Sequence, residues 1–164
     1  MIREILVSDA EKFLALNKKL DIETKYMLYE EDERNITVEE QAKIIESFLN
    51  ASNSTILVAE QEGKLVGHIA VVGGKFNRIK HRAHIVVGIL QDYCNQGIGT
   101  QLFQKMEDWA KCHHLKRLEL TVMTHNDRAV SLYKKVGFEI EGIRKCSLIV
   151  DGQPIDEYSM GKVL

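Results

Sequence analysis

The spacing of apolar residues changes several times along the chain, and each change marks an element. Ile2 to Val7 is a short apolar run, which predicts a first strand. Ser8-Asp9-Ala10-Glu11 has capping-box spacing, and the helix behind it sets Phe13, Leu16 and Leu20 on one face. Asp21 to Asn35 is charged and poorly periodic, with Tyr26, Met27, Leu28 and Tyr29 embedded in it, and reads as a loop or broken helix. Thr37-Val38-Glu39-Glu40 is a second capping box; its helix is expected to turn Val38, Ala42, Ile45 and Leu49 inward. After a polar break at Asn50 to Ser54, two apolar runs, Thr55 to Glu60 and Leu65 to Val72, flank Gln61-Glu62-Gly63-Lys64 and predict a hairpin. Gly73-Gly74 ends that hairpin, and a basic loop runs from Lys75 to Arg82.

His84 to Leu90 is the next strand. Beyond it Ile98, Leu102, Met106, Trp109 and Ala110 recur at helical spacing, with Phe103 beside them, up to His113-His114. Leu118, Leu120 and Val122 alternate with Glu119, Thr121 and Met123, a strand pattern. Asn126 can cap a helix lined by Ala129, Leu132, Tyr133 and Val136, which Gly137 stops. Phe138 begins a strand reaching to about Val150, with a bulge expected at Gly142. Asp151-Gly152 predicts a tight turn, and Ile155 to Val163 a closing strand. The order β, α, α, β, β, β, α, β, α, β, β predicts a mixed sheet with helices on its faces, of α/β (α+β) class, in one domain. No repeat, linker or low-complexity segment interrupts it.

The junction between the fourth strand and the helix after it carries the candidate chemistry. Ile85-Val86-Val87-Gly88-Ile89-Leu90 runs through Gln91-Asp92-Tyr93-Cys94-Asn95-Gln96 to Gly97-Ile98-Gly99-Thr100. A helix start leaves backbone N–H groups unpaired and carries partial positive charge. Gly97 and Gly99 remove side chains where an anion would approach, so the stretch predicts a phosphate cradle. No Lys-Ser or Lys-Thr follows the glycines, which excludes a nucleotide P-loop, and a third glycine is missing at Leu102, which excludes the dinucleotide fingerprint.

Composition narrows the class. The 164 residues suit one domain, and 45% apolar with 28% charged residues is a globular balance. A net charge of −2 from 22 basic and 24 acidic residues gives no reason to expect nucleic-acid binding. No apolar run approaches the roughly 20 residues of a membrane span, and Met1-Ile2-Arg3-Glu4-Ile5 lacks the apolar core of a signal peptide. Cys94, Cys112 and Cys146 lack metal-type spacing, so reduced thiols in a cytoplasmic protein, and no metal, are expected.

Two motifs resemble those of the GNAT superfamily of N-acetyltransferases. Its pyrophosphate turn is Arg or Gln, two residues, Gly, one residue, then Gly or Ala, with an apolar residue five positions upstream. Ile89, Cys94, Gly97 and Gly99 fill those places, Cys94 departing from the usual side chain. The second motif is Asn, Ala, Leu-Tyr and Gly-Phe, filled by Asn126, Ala129, Leu132-Tyr133 and Gly137-Phe138. The pair, in this order and separation, covers about Ile56 to the C-terminus. The resemblance implies a GNAT-type, mostly antiparallel mixed sheet and one N-acetyltransferase domain over residues 1–164. Acetyl-CoA is the implied cosubstrate, a small-molecule amine (or a peptide or protein) the implied acceptor, and a homodimer is possible.

The resemblance also implies roles. Asn95, Gln96, Gly97, Ile98, Gly99 and Thr100 would hold the pyrophosphate, Ile89 and Leu90 would pair with the pantetheine, Asn126 would contact the cofactor arm, and Tyr133 would protonate the departing thiolate. Chemistry adds a need for a base, because the attacking amine must lose a proton. His84 and Glu119 are the candidates, at strand positions that could face a cleft. Each residue has a plainer reading beside this one. Tyr133 suits a core, Asn126 a cap, His84 and Glu119 a solvated or hydrogen-bonded place in the sheet, and Tyr26 and Tyr29 a packed loop. Cys94 is the obvious nucleophile for a covalent route, but no Cys–His pair is visible, so direct transfer is expected. A CoA-binding sensor that has lost turnover is the rival reading, and Tyr133 argues against it.

Overall fold

The computed structural model describes all residues, 1–164. Its elements follow the order read above: β1 (Ile2–Glu4), α1 (Ala10–Glu23), α2 (Val38–Asn50), β2 (Thr55–Gln61), β3 (Lys64–Gly73), β4 (Arg82–Ile89), α3 (Ile98–Cys112), β5 (Arg117–Met123), α4 (Asp127–Lys135), β6 (Glu139–Val150) and β7 (Gln153–Val163). They form one seven-stranded sheet in the order β1-β2-β3-β4-β5-β7-β6. Every neighbouring pair is antiparallel except β4 and β5. No helix is long and apolar enough to cross a membrane.

The parallel pair is short. Arg82, Ala83 and His84 face Arg117, Leu118 and Glu119, and the pairing then stops. Beyond that rung β4 and β5 diverge, and the sheet holds an open wedge between them. On one face α3 packs across β2 and β3, burying Ile98, Leu102, Phe103, Met106 and Ala110. On the other α1 lies over β3, with Phe13, Leu16 and Leu20 buried as expected, and α2 lies beside it. The apolar interior joins both faces into one cluster that includes Ile69, Ile85, Leu118, Leu120 and Met160.

Several local expectations need correction. Ser8 does not cap α1. The chain makes a 3₁₀ turn over Val7–Asp9, and the Asp9 carboxylate accepts the Leu6 N–H at 2.8 Å while taking a two-point ion pair from Arg3. That guanidinium holds the Asp9 carboxyl below its usual range, so Asp9 rather than Ser8 organises the helix entry. At the other end α1 runs on to Glu23, because Asp21 is buried against Arg34 instead of breaking the helix. The Thr37 capping box forms as read, but Val38 is exposed; α2 buries Gln41 and Ile45. Both predicted tight turns place their central residues at positive φ: Glu62-Gly63 and Asp151-Gly152. The register shifts at Gly142, and a second, unforeseen shift lies between Arg144 and Leu148, around Cys146 at φ 49°.

One buried polar side chain has no partner. His68 of β3 is 3% exposed, sits edge-on to Phe13 at 5.1 Å, and neither ring nitrogen makes a hydrogen bond. Burial lowers its pKa from 6.5 to about 4, helped by the nearby Arg34 charge. Unfolded, the imidazole takes a proton as pH falls through about 6.5; folded, it resists until about 4. His68 therefore adds no pH-dependent cost above the first value and removes up to roughly 3 kcal/mol as pH falls to the second. Urea unfolding at about pH 7 and about pH 4.5 should show a larger loss for the wild type than for His68→Leu. Equal losses would mean that the folded protein protonates His68 freely.

Candidate active site

The wedge between β4 and β5 opens into a cavity of about 510 Å³. Leu90 N–H turns to β3, bonding Val66 O at 2.9 Å. Strand alternation then turns the backbone groups of Val87 and Ile89 the other way, toward the wedge, where β5 no longer pairs with them. Both residues line the cavity. Leu90 itself is buried, and its amide is already taken. Of the two residues read as a free strand edge, Ile89 has that geometry and Leu90 does not; Val87 takes the second place.

At the end of β4 the chain makes a 3₁₀ turn over Gln91–Tyr93 and curls into α3 with Asn95 at φ 60° and Gly97 at φ 80°. No backbone amide from Asn95 to Thr100 donates to another backbone group. These consecutive donors lie at or just before a helix N-terminus, an arrangement that can hold an anion. The two glycines have different reasons. A Cβ on Gly97 would meet open space, with only the Gln101 side chain within 4 Å, at 3.9 Å. A Cβ on Gly99 would come within 2.8 Å of Leu132, so Gly99 allows α3 and α4 to pack closely. Gln96 folds back onto Asp92 O, and the Cys94 thiol sits 3.5 Å from Leu90 O.

Opposite this turn, α4 supplies the other wall. Asn126 Oδ1 accepts the Ala129 N–H at 3.3 Å and so caps α4, while the residue also lines the cavity. Tyr133 is 8% exposed, with Phe103 at 5.6 Å and Phe138 at 6.4 Å between ring centroids, yet it too lines the cavity. Burial pushes its phenol pKa well above the ordinary value, so the hydroxyl keeps its proton until a stronger base forms beside it. The packed tyrosine and the cavity-lining tyrosine are one residue.

His84 and Glu119 are not on the cavity wall. They face each other on the last paired rung of β4 and β5, at the closed end of the wedge. Glu119 is held there by Arg117 at 3.1 Å, and Arg82 is 3.9 Å away. Of the two readings offered for His84 and Glu119, the geometry fits the place in the sheet, because the strands have not yet separated at their level. The sequence reading passed over Glu23, Thr24, Met27, His125 and Arg128, which do line the cavity. Tyr26 lines it too and packs on His125 at 5.3 Å. A second hollow, of about 480 Å³, shares Glu23, Thr24, Tyr26 and His125 with the first. A Lys25–Asp151 ion pair spans it, tying the loop after α1 to the β6–β7 turn. No cluster of three or more His, Cys, Asp or Glu side chains is placed to hold a metal.

The acetyltransferase (GNAT) family model matches residues 20–138. The chain belongs to this family. It is 33% identical to the L-amino acid N-acetyltransferase AaaT of Escherichia coli K12 over 111 residues, covering 65% of this chain and 67% of that one. A crystal structure of a GNAT-family acetyltransferase from Streptococcus pneumoniae superposes with a TM-score of 0.97 at 31% identity, covering 100% of this chain and 99% of that one. A Salmonella typhimurium acetyltransferase solved with its cofactor acetyl-CoA shares the fold, with a TM-score of 0.89 at 16% identity over 100% and 93% of the two chains. This GNAT protein is an N-acetyltransferase. Its wedge and unpaired amides suit an extended molecule with phosphates at one end.

The cradle is open to test at Gly97. Gly97→Val places a branched side chain at φ 80° in the space beside the free amides. Calorimetry of a folded variant should show CoA affinity reduced by about tenfold or more, roughly 1.4 kcal/mol. Unchanged affinity would place the phosphates elsewhere.

Proposed function

We propose that this enzyme transfers the acetyl group of acetyl-CoA directly to the primary amine of a small molecule, in a ternary complex. The observation that carries this reading is the continuity of the wedge. Free amides lie at one end, Tyr133 on the wall and a second hollow at the other end, so donor and acceptor can meet without an intermediate carrier. The amides of Asn95 to Thr100 hold the pyrophosphate. Val87 and Ile89 offer their backbone groups to the pantetheine amides as a paired strand would. Asn126 contacts the arm from α4, and Tyr133, neutral in its buried position, gives a proton to the thiolate as it leaves. The likeness to an L-amino acid N-acetyltransferase supports a small acceptor with a free amino group. The three free thiols suit a reducing cytoplasm.

Cys94 stands aside. Its sulfur lies against the carbonyls of Leu90 and Ile89, at 3.5 and 3.8 Å, in the turn that binds phosphate. Cys94→Ala should remain active. Intact-protein mass after brief mixing with acetyl-CoA and no acceptor should show no acetyl adduct; an adduct on Cys94 formed and discharged at the turnover rate would replace direct transfer with a covalent route.

A panel of L-amino acids, polyamines and short peptides, followed by thiol release, tests the acceptor class. Transfer to free amino acids or other small amines is expected; transfer to peptides alone would overturn the small-molecule reading. On the best acceptor, Tyr133→Phe should lower kcat by about 10²–10⁴-fold while acetyl-CoA affinity stays nearly intact. An unchanged rate under chemistry-limited conditions would leave Tyr133 with packing alone.

A further inference from the structure

We infer that Glu23 binds the acceptor's ammonium group and takes its proton. This assignment rests on the transfer reading above and adds the group that reading lacks. The two bases suggested by sequence lie at the closed end of the wedge, so the base must come from the cavity wall. Two carboxylates line the cavity, Glu23 and Asp127. Asp127 opens α4 beside Asn126, on the side given to the cofactor arm, and does not reach the second hollow. Glu23 lines both hollows, as does His125, but only the carboxylate carries the negative charge that holds an ammonium before taking its proton. It therefore stands where a molecule entering from the second hollow meets the one lying in the wedge.

Its side chain is also positioned. Glu23 is the last residue of α1, and Oε2 accepts the Gln91 N–H at 2.9 Å, just beyond the end of β4. That bond fixes the carboxylate to the strand whose free edge lines the wedge. The other oxygen is 3.8 Å from Lys19 Nζ, outside hydrogen-bond distance, and keeps its lone pairs for an incoming N–H. The other charged groups around it are Lys19, Lys25 and, on the α4 wall, Asp127 and Arg128. Lys19 is largely exposed, and Lys25 is engaged by Asp151. His125 and Tyr26 give flat aromatic walls, and Leu20 and Met27 give apolar ones, so the ammonium that fits is one on a compact apolar body.

The acceptor R–NH₃⁺ gives one proton to the Glu23 carboxylate. The freed nitrogen attacks the thioester carbonyl; the N–C bond forms, the C–S bond breaks, and its electron pair leaves on sulfur. Tyr133 protonates that sulfur and regains a proton from the acylated nitrogen through water, and Glu23 returns its proton to solvent. The products are the N-acetyl amine, CoA thiol and one proton.

Glu23→Gln separates chemistry from tethering, since the amide oxygen still accepts from Gln91 N–H while charge and basicity are gone. Benzylamine and benzyl alcohol, similar in shape and differing in charge, serve as probes on enzyme saturated with CoA. The wild type should bind benzylamine at least about tenfold more tightly than the alcohol. E23Q should lose that preference while keeping wild-type CoA affinity and melting temperature. Its kcat/KM for any amine the wild type acetylates should fall by about 10²-fold or more. A wild type without the preference, or an E23Q that keeps it or keeps full kcat/KM, overturns the assignment. A wild type that acetylates no amine, yet prefers benzylamine in a Glu23-dependent way, refutes the transfer reading and Glu23's role as base, and upholds Glu23 only as the ammonium-binding group.

Discussion

A parallel strand pair that stops after three residues governs this molecule. Backbone N–H and C=O groups taken out of water need partners, and along most of the sheet neighbouring strands supply them. From Ile85 to Ile89 β4 has a partner on one side only. The free side must remain accessible to water or to a ligand that can replace the missing strand. The elements around it keep it so. α3 and α4 fill one face as far as Leu132 and Tyr133, α1 roofs the other with Leu20, and neither closes the gap. The fold thus leaves a slot shaped for an extended, amide-bearing chain, and the unpaired N–H groups of the following turn lie at its end.

Packing decides which side chains reach that slot. Gly88 lies beneath Leu20, whose Cδ1 would be 2.8 Å from a Cβ there, and its β3 partner is the unbonded His68. Gly99 lets α4 approach until Leu132 touches α3, which brings Tyr133 to the wall. Charged groups outside the slot are occupied with one another. Arg117 bridges Glu119 and Glu141, Lys162 bridges Glu107 and the end of α4, and Arg3 bridges Asp9 and Glu60. These pairs knit strands and helices together at the rim and leave Glu23 among the few acids that face inward.

Much of this was legible in the sequence, and what was not follows a rule. Elements with a period or a local signal read correctly: the Thr37–Glu40 cap, the Glu62-Gly63 and Asp151-Gly152 turns, the Gly142 shift and the amphipathic face of α3. The run of unpaired amides from Asn95 to Thr100 was legible because its signal, two glycines before a helix, is local. Readings failed where a distant partner decided the outcome. Ser8 lost the cap to Asp9 because Arg3 is near in space. His84 and Glu119 alternate like residues facing a cleft, but the point at which two strands part is set by both and written in neither. Glu23 and His125 carry no motif; one ends a helix and the other precedes a cap, and only the meeting of three loops makes them neighbours.

The irregularities of β6 bear on how the protein behaves in a crowd. A sheet edge offers unpaired N–H and C=O groups to any passing strand, and open-ended addition of such strands is how aggregates grow. One margin of this sheet, β1, is three residues long, too short to template much. The other, β6, spans twelve residues and exposes Ile140, Ile143 and Ile149, the composition of a sticky border. Its two register breaks interrupt the ladder at Gly142 and again around Cys146, with Arg144 and Lys145 set between them. Cys146 N–H turns inward to the Asp156 carboxylate of β7, at 2.9 Å, so the outer ladder is broken at this point. The long margin is thereby cut into shorter, charge-bearing segments, the kind of edge that resists the open-ended addition of strands.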